Sequence, residues 1–210
     1  RRILLAFEKA DRETEVEKQR QLLTFVVVGG GPTGVELAGS LGEISRFTLS
    51  RDFSHIDPRR TRVILIEAGS RILASFDSEL AQKATRDLEN LGVQVWTNSR
   101  VTQVTVDGVE VGQEKIRAST VLWAAGVNPS SLSHDLGVPL TKSGHVIIEK
   151  DLSVKDFTNV FVLGDQASFT TSKGRTLPGL APVAIQEGRA AAENILADLA
   201  KKPRKTFHYR

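Results

Sequence analysis

The chain has 210 residues, of which 40% are hydrophobic and 25% charged, as expected for a globular protein with one large domain or two modest ones. The formal net charge of +3 is too small to indicate a nucleic-acid-binding surface, and no apolar run approaches the roughly 18 residues that span a membrane. Cysteine is absent, which excludes a disulfide framework, a thiolate metal site and a redox dithiol within these residues.

The first segment, RRILLAFEKADRETEVEKQRQ, predicts one helix or two short ones, because its apolar residues cluster at the start and charged residues follow. The chain has no methionine and opens at Arg1 in what reads as the middle of a helix. We therefore expect it to be part of a longer protein. The basic end, KKPRKTFHYR, predicts a solvated tail or the approach to a further segment.

Strand and helix patterns alternate after this first segment. Residues 22–28 form a near-continuous apolar run, which predicts a parallel strand buried on both faces, and Pro32 suits the first turn of the helix that follows. A second strand is predicted at residues 62–67, then a helix with Asp77 as its N-cap, and a third strand in GVQVW. Residues 101–118 contain short stretches of alternating apolar and polar residues, typical of antiparallel hairpins. TVLWAAG predicts a further strand. This order predicts a three-layer, Rossmann-like α/β nucleotide-binding domain.

The character of the sequence changes after Asn128 and Pro129, so we place a domain boundary at residues 126–131. HVIIEKDLSV and NVFVLGD then predict strands, and APVAIQEGRAAAENILADLAKK predicts a long helix that begins near Pro182. A second folding unit is therefore expected after the first.

The stretch FVVVGGGPTGVELAG carries the most specific local signal. Gly29, Gly31 and Gly34 have the G-x-G-x-x-G spacing of a dinucleotide-binding turn. In that motif the first glycine makes the tight turn, the second admits the pyrophosphate and the third lets the helix pack on the strand. A purely structural turn is the alternative. The buried strand before it, the helix after it and the acidic residue that ends the next strand favour a nucleotide, whose phosphates would face the positive end of the helix.

Glu67 ends the second strand, 33 positions after Gly34. Its carboxylate is expected to accept hydrogen bonds from the adenosine ribose hydroxyls, although an exposed strand end is the alternative interpretation. A 2′-phosphate at the same place would meet a like charge, at a cost of about 4 kcal/mol at 4 Å and an effective dielectric near 20. The sequence therefore predicts NADH over NADPH. Arg71 could reach such a phosphate instead, which leaves the preference open.

Five motifs occur in the order found in one known family: LLTFVVVGGGPTGVELAG, LIEAGSRIL, VLWAAGVNP, VFVLGDQA and LPGLAPVAIQEGR. They cover nearly the whole chain and resemble the type II NADH:quinone oxidoreductases, single-polypeptide members of the FAD-dependent pyridine nucleotide-disulphide oxidoreductase superfamily. The resemblance implies a helical segment of the FAD domain at residues 1–22, an NADH-binding domain at 23–127 and the C-terminal part of an FAD-binding domain at 128–210. The family's first FAD motif would then lie before Arg1, and its amphipathic membrane anchor beyond Arg210.

The resemblance also implies roles for residues outside the glycine turn. Ala125 and Gly126 match the far edge of the family's NADH site. Gly164 and Asp165 match its second FAD motif, in which the glycine lets the backbone approach closely and the aspartate binds the ribityl hydroxyls. A plain turn after a strand is the alternative for this pair.

Two polar side chains are implied near the reacting groups. Glu36 matches the family's glutamate implicated in quinone protonation, although a carboxylate is also favoured near a helix N-terminus on electrostatic grounds alone. Residues 182–186 match the stretch beside the flavin and the quinone. This chain has Ala181 and Pro182 where the family commonly has Ala-Gln, which leaves Gln186 as the better quinone contact. The alternative for Gln186 is a solvated helix residue.

The implied function is that of an FAD-dependent NADH dehydrogenase (quinone), which passes hydride from NADH to flavin and electrons on to a membrane quinone without pumping protons. We expect the parent protein at the cytoplasmic face of a membrane, with NADH and a quinone as partners, a homodimer as one option, and neither nucleic acid nor metal. The chain alone is expected to be soluble and inactive. The alternatives are an FAD-dependent NAD(P)H reductase of a redox protein such as ferredoxin, and an inactive NADH-binding module.

The site residues expected on these grounds fall into two groups. The candidate catalytic residues are Glu36 and Gln186. The candidate cofactor-binding residues are Gly29, Gly31, Pro32, Thr33, Gly34, Glu67, Ala125, Gly126, Gly164, Asp165, Pro182 and Val183.

Overall fold

The computed structural model describes residues 1–210, which form two compact units, Arg1–Gly126 and Val127–Arg210. The first unit contains, in chain order, α1 (Arg2–Arg12), α2 (Val16–Leu22), β1 (Thr24–Val28), α3 (Pro32–Glu43), β2 (Arg62–Ile66), α4 (Ser78–Asn90), β3 (Val93–Trp96), β4 (Val101–Thr105), β5 (Gly108–Val111), β6 (Glu114–Arg117) and β7 (Thr120–Trp123). No helix of either unit is both long and apolar enough to cross a membrane.

The centre of the first unit is a four-stranded parallel sheet in the order β3-β2-β1-β7. All five residues of β1 are buried, as expected for a strand covered on both faces. The strand begins at Thr24 and not at residue 22 as the apolar run predicted, because Leu22 is the last residue of α2. An apolar run cannot mark the point at which a partly buried helix end becomes a buried strand.

This sheet is the middle of three layers, as the sequence predicted. The helices pack on one face, where the inward residues of β1 and β2 join a core with Phe7, Leu41 and Leu88. The antiparallel sheet β4-β5-β6 covers the other face, where Val109 and Ile116 meet the alternate residues of the same two strands. The third layer is therefore a β-meander and not a second layer of helices.

The first segment folds as two helices, the second of the two forms that the sequence allowed. Glu13 is extended and ends α1, and Gln19 of α2 donates its side-chain amide to the carbonyls of Ala10 and Glu13. Phe7 is 1% exposed and stacks on Phe25 of β1 with ring centroids 5.5 Å apart. Ala6, Phe7 and Ala10 of α1 are thus buried against the first unit, whereas Leu4 and Leu5, at the apolar start of the helix, are exposed.

The second unit contains α5 (Leu132–Asp135), β8 (Val146–Ile147), β9 (Ser153–Val154), β10 (Phe157–Phe161), β11 (Ala167–Ser168) and α6 (Ala181–Leu199). The long helix places Pro182 in its first turn, as predicted. HVIIEKDLSV, predicted as one strand, is instead two short strands, β8 and β9. A turn separates them. In this turn Leu152 has a positive φ of 71° and donates its N–H to the backbone carbonyl of Glu149.

Eight of the last ten residues are exposed, as a solvated tail would be, but the segment is attached to the second unit at a few points and is not a free tail. They run along α6, where the buried amide of Asn194 donates to the carbonyl of Lys205 and accepts from its N–H. Phe207 is 6% exposed and packs edge-on against Phe169 at 5.2 Å. A basic composition concealed this docking because the backbone of the segment and two of its side chains, Phe207 and Arg204, carry it.

Arg204 ties this last segment to the rest of the second unit. Its guanidinium donates to Asp151 at 3.0 Å, to Asp198 at 2.8 Å and to the carbonyl of Thr158, and it lies 4.9 Å from the ring of Phe161. The hydrogen bond from Arg204 lowers the pKa of Asp198. Burial alone would raise the pKa of Asp151, but bonds from its own turn and from Arg204 outweigh burial and lower it.

We predict that Arg204→Ala destabilises the second unit by about 2 kcal/mol at neutral pH, because it removes charged hydrogen bonds and a packed side chain. Both aspartate pKa values lie below the model-peptide value of 3.8 in the folded chain, so this stabilisation is present above about pH 4 and is lost as pH falls through the folded pKa values. The difference between variant and parent should therefore shrink in acid. Hydrogen exchange of peptides from residues 146–210 measures it, since both tryptophans, Trp96 and Trp123, report only the first unit.

Lys202→Ala is the matched control, because Lys202 lies in the same segment and is exposed. A loss of stability in Arg204→Ala that equals the loss in Lys202→Ala, or one that grows in acid, would contradict the role given to Arg204 and its two aspartate partners.

Candidate functional site

The glycine turn joins the end of β1 to the start of α3. Gly29 has φ +106°, and its N–H donates to the carbonyl of Ile66 at 2.8 Å. A Cβ on Gly29 would lie 2.6 Å from the carbonyl oxygen of Ala124, which directly follows β7. A Cβ on Gly34 would collide with the carbonyl oxygen of Gly29. Both glycines are therefore required by the packing of the turn itself.

Gly31 is a glycine for a different reason. Its φ of −73° and ψ of 179° are open to any residue, and a Cβ built there meets no atom within 4 Å. Neither backbone strain nor packing within the chain asks for glycine at this position. The missing side chain leaves an open cradle against the backbone, as a site for a closely approaching ligand requires.

The start of α3 opens onto the same cradle. Val35 donates the first helical bond, to the carbonyl of Gly31, so the N–H groups of Thr33 and Gly34 have no partner in the chain. Pro32 has no N–H, no side chain caps the helix, and no acidic residue lies in its first turn. Unpaired N–H groups at the positive end of a helix dipole bind anions, phosphates among them.

Glu67, which directly follows β2, lies against this turn. One carboxylate oxygen accepts from the N–H of Gly30 at 2.7 Å and the other from the N–H of Gly69 at 2.5 Å. An ionised carboxylate accepts about four hydrogen bonds, so ribose hydroxyls can still bind there. Sequence reasoning passed over Gly30, on which a Cβ would press 3.0 Å from Glu67 and 2.8 Å from Ile72.

Arg71 is engaged with its own loop. Its guanidinium donates to the carbonyls of Ala74 at 2.9 Å and Phe76 at 3.1 Å. These bonds hold the loop that leads into α4. Both bonds come from Nη2 and tether the guanidinium to this loop, while the N–H groups of Nε and Nη1 form no hydrogen bond within the chain.

The remaining candidates of the first unit lie near the carboxyl ends of the parallel strands. Ala125 and Gly126 are exposed and follow β7, and Gly126 has φ +98° with open space around its Cβ position. Glu36 is exposed on α3, and its carboxylate forms neither a hydrogen bond nor a salt bridge. The carboxyl edge of such a sheet is where α/β proteins bind their ligands.

In the second unit, β10 leads into a short 3-10 turn, Gly164–Gln166. Gly164 has φ +61°, and its Cβ position lies 3.2 Å from the side chain of Ala184 on α6. Asp165 is exposed, and its carboxylate accepts no hydrogen bond from the chain. A Cβ on Gly179 would lie 2.9 Å from that carboxylate, so Gly179 leaves room for it.

Sequence reasoning missed Glu187, which is only 2% exposed. Its carboxylate accepts the N–H of Gly164 at 2.7 Å. Burial raises the pKa of Glu187, and the hydrogen bond from Gly164 partly offsets that rise. The available signal was its helical spacing with Val183, Ala191 and Asn194, which are all buried.

The other candidates on α6 differ in exposure. Pro182 is exposed, whereas Val183 is 3% exposed and belongs to the buried face of the helix. Gln186 is half-buried, and its amide forms a reciprocal pair with the backbone of Arg210, each bond 3.0 Å long. One N–H and one oxygen lone pair of Gln186 stay free. The start of α6 has no side-chain cap and no acidic residue in its first turn.

The relatives agree with the resemblance seen in the sequence. A type II NADH:quinone oxidoreductase of Mycobacterium tuberculosis is 40% identical over 208 residues, which are 95% of this chain and 44% of the relative. The chain thus spans less than half the length of that protein. This similarity confirms the resemblance that the order of the motifs indicated.

Solved structures share the fold. NDH2 of Plasmodium falciparum, in complex with NADH, superposes with a TM-score of 0.72 at 22% identity, over 80% of this chain and 36% of that one. A ferredoxin reductase of Rhodopseudomonas palustris gives 0.70 at 20% identity, over 94% and 46%. At these identities the two structures establish the Rossmann-type α/β fold and nothing finer.

The profile of one protein family covers most of the chain. Residues 5–188 match it, from α1 into α6, including both glycine turns. The chain belongs to the pyridine nucleotide-disulphide oxidoreductase family.

Proposed function

We propose that the chain is the NADH-binding domain, residues 23–127, and the C-terminal part of the FAD-binding domain, residues 128–210, of a type II NADH:quinone oxidoreductase. Residues 1–22 are then a helical segment of the FAD domain. The observation that carries the proposal is the open Cβ position of Gly31 at the uncapped start of α3. A relative of that name at 40% identity supports the same function.

The first unit offers NADH a fitting set of groups. The pyrophosphate would lie over Gly31 and accept from the N–H groups of Thr33 and Gly34, beside the ring of Pro32. Glu67 would accept the ribose hydroxyls with its remaining lone pairs. The turn at Gly29 sets the distance between strand and phosphates, and the exposed backbone of Ala125 and Gly126 borders the same sheet edge.

The second unit offers part of a flavin site. Gly164 brings backbone close, and the unpaired carboxylate of Asp165 suits the ribityl hydroxyls. Pro182 and Val183 open α6, whose positive end would face the ring system. The chemistry of hydride acceptance from NADH and electron delivery to a quinone is supplied by FAD when bound, and the protein orients and tunes it.

Two side chains are proposed near the quinone. Glu36 is exposed, and its carboxylate forms no hydrogen bond or salt bridge within the chain, so both of its oxygens are open to a quinone or a water molecule. Gln186 keeps one N–H and one lone pair beside its pair with Arg210, which suffices for one quinone carbonyl. Because quinones dissolve in lipid, the proposal includes a membrane surface for the longer protein. The cytoplasmic face of that membrane and a possible homodimer are proposed from the family resemblance alone.

A reductase of a redox protein such as ferredoxin is the alternative function. Its support is the fold of the ferredoxin reductase, and fold alone does not carry function. The quinone proposal is favoured because the relative with the higher identity bears that name.

Gly31→Val is expected to weaken NADH binding by the chain at least tenfold, about 1.4 kcal/mol, because the added side chain fills the space proposed for the pyrophosphate. The free energy of unfolding should change by less than about 1 kcal/mol, since the side chain meets nothing in the chain. Calorimetric titration with NADH and urea unfolding followed by tryptophan fluorescence measure the two quantities.

Gly39→Ala is the control for the Gly31 variant, because Gly39 lies on the same helix and an added Cβ there makes only an ordinary contact with Leu88 at 3.6 Å. It should keep the affinity of the unaltered chain. Unchanged NADH affinity in Gly31→Val would refute the pocket.

NADH is expected to bind more tightly than NADPH, by about tenfold, because the carboxylate of Glu67 repels a 2′-phosphate across partly solvated space. Glu67→Gln should narrow the ratio of the two dissociation constants. Arg71→Ala should leave it unchanged, because that guanidinium holds Ala74 and Phe76. Equal affinities in the unaltered chain, or a loss of NADPH binding in Arg71→Ala, would count against this assignment.

The overall function is tested by the visible absorption spectrum with FAD, before and after anaerobic NADH. The 210-residue chain should bind NADH but neither retain nor bleach flavin, because it offers only part of a flavin site. The longer protein should bleach with NADH and recover its colour with a quinone. Recovery with ferredoxin but not with a quinone would favour the alternative function.

A further inference from the structure

The inference concerns Glu187, a buried carboxylate that no step above uses. The side chain sits on the core face of α6 and forms no salt bridge. Its hydrogen bond is to the N–H of Gly164, at 2.7 Å. An acidic group placed in a core without a basic partner is expensive, so a core that needed only volume would carry an apolar residue there.

The bond holds one end of the turn Gly164–Gln166. Gly164 has a positive φ and lies close to Ala184 of α6, and in this backbone conformation its N–H points at Glu187. A loss of the acceptor would leave a partly buried N–H without a partner and would free the turn to move.

Gln166 holds the other end of the turn. Its amide oxygen accepts from the N–H of Ser130 at 2.9 Å, and its amide nitrogen donates to the carbonyl of Ser130 at 3.1 Å and to the hydroxyl of Ser133. Asp165, between the two held residues, is exposed and has no partner in the chain. The turn is therefore fixed at both ends and presents one free carboxylate.

We propose that Glu187 is a positioning residue of the flavin site: it fixes Gly164 so that Asp165 faces the ribityl hydroxyls. The identity of the ligand rests on the proposed function, whereas the hold of Glu187 on Gly164 does not. Glu187 acts through the turn and does not itself touch the flavin.

The experiment compares variants that keep or remove the acceptor. Glu187→Gln keeps an acceptor oxygen, whereas Glu187→Leu fills a similar volume without one. Glu187→Ala is a second variant without an acceptor, for use if the Glu187→Leu protein does not fold. Glu193→Leu, at an exposed position of the same helix, is the matched control. The first readout is the exchange rate of the Gly164 amide by NMR in the 210-residue chain, and the second is FAD affinity of the longer protein.

The variants without an acceptor should speed exchange of the Gly164 amide at least tenfold and weaken FAD binding at least tenfold. Glu187→Gln and Glu193→Leu should stay within about threefold of the unaltered protein on both readouts. This rescue by glutamine is a result that a packing role alone would not give, since leucine packs as well as glutamine.

Unchanged Gly164 exchange in both variants without an acceptor would overturn the inference. Faster exchange with unaltered FAD affinity would also overturn it, because the turn would then be held for another purpose. Failure of the unaltered longer protein to bind FAD would instead refute the proposed function, and the exchange rates would still decide whether Glu187 holds the turn.

Discussion

The first unit depends on one close approach, that of α3 to the end of β1. Gly34 lies against the carbonyl of Gly29, and Gly29 lies against Ala124, so helix, turn and the end of β7 are in backbone contact. No side chain larger than hydrogen fits between them. This constraint directs the first N–H groups of α3 to the carboxyl edge of the sheet, and it brings Gly30 within reach of Glu67. The packing of the turn and the position of these N–H groups are thus set by the same contacts.

The three glycines of the motif therefore answer to different demands. Gly29 and Gly34 are required by the chain, and their replacement would be felt with or without a ligand. Gly31 is required by nothing in the chain, so its open Cβ position is the part of the motif on which the proposal of a ligand depends. A spacing rule treats the three alike, and only the geometry separates a packing requirement from a binding one.

Sequence alone predicted what local signals fix. The strand that ends at Val28, the helix after Pro32 and the cap at Asp77, which accepts the N–H of Glu79 at 2.8 Å, each have a short-range cause. The predicted start of β1 was wrong, and so was the prediction of one continuous strand where β8 and β9 are separate. Apolar runs do not mark where the backbone changes direction. The bond from Gly164 to Glu187 joins residues 23 positions apart, and such pairings leave no local pattern.

The polar side chains of α6 hold backbone segments of the second unit in place and leave the carboxylate of Asp165 without a partner. Asn194 and Gln186 bind the backbone of the last segment, and Glu187 binds the backbone of the turn. Each is satisfied by main-chain groups, as buried polar groups in a stable core must be. Asp165 differs, because it is charged, exposed and unpaired beside a rigid turn. A carboxylate that the chain leaves without a hydrogen bond beside a fixed turn can accept hydrogen bonds from donors outside the chain, hydroxyl groups among them.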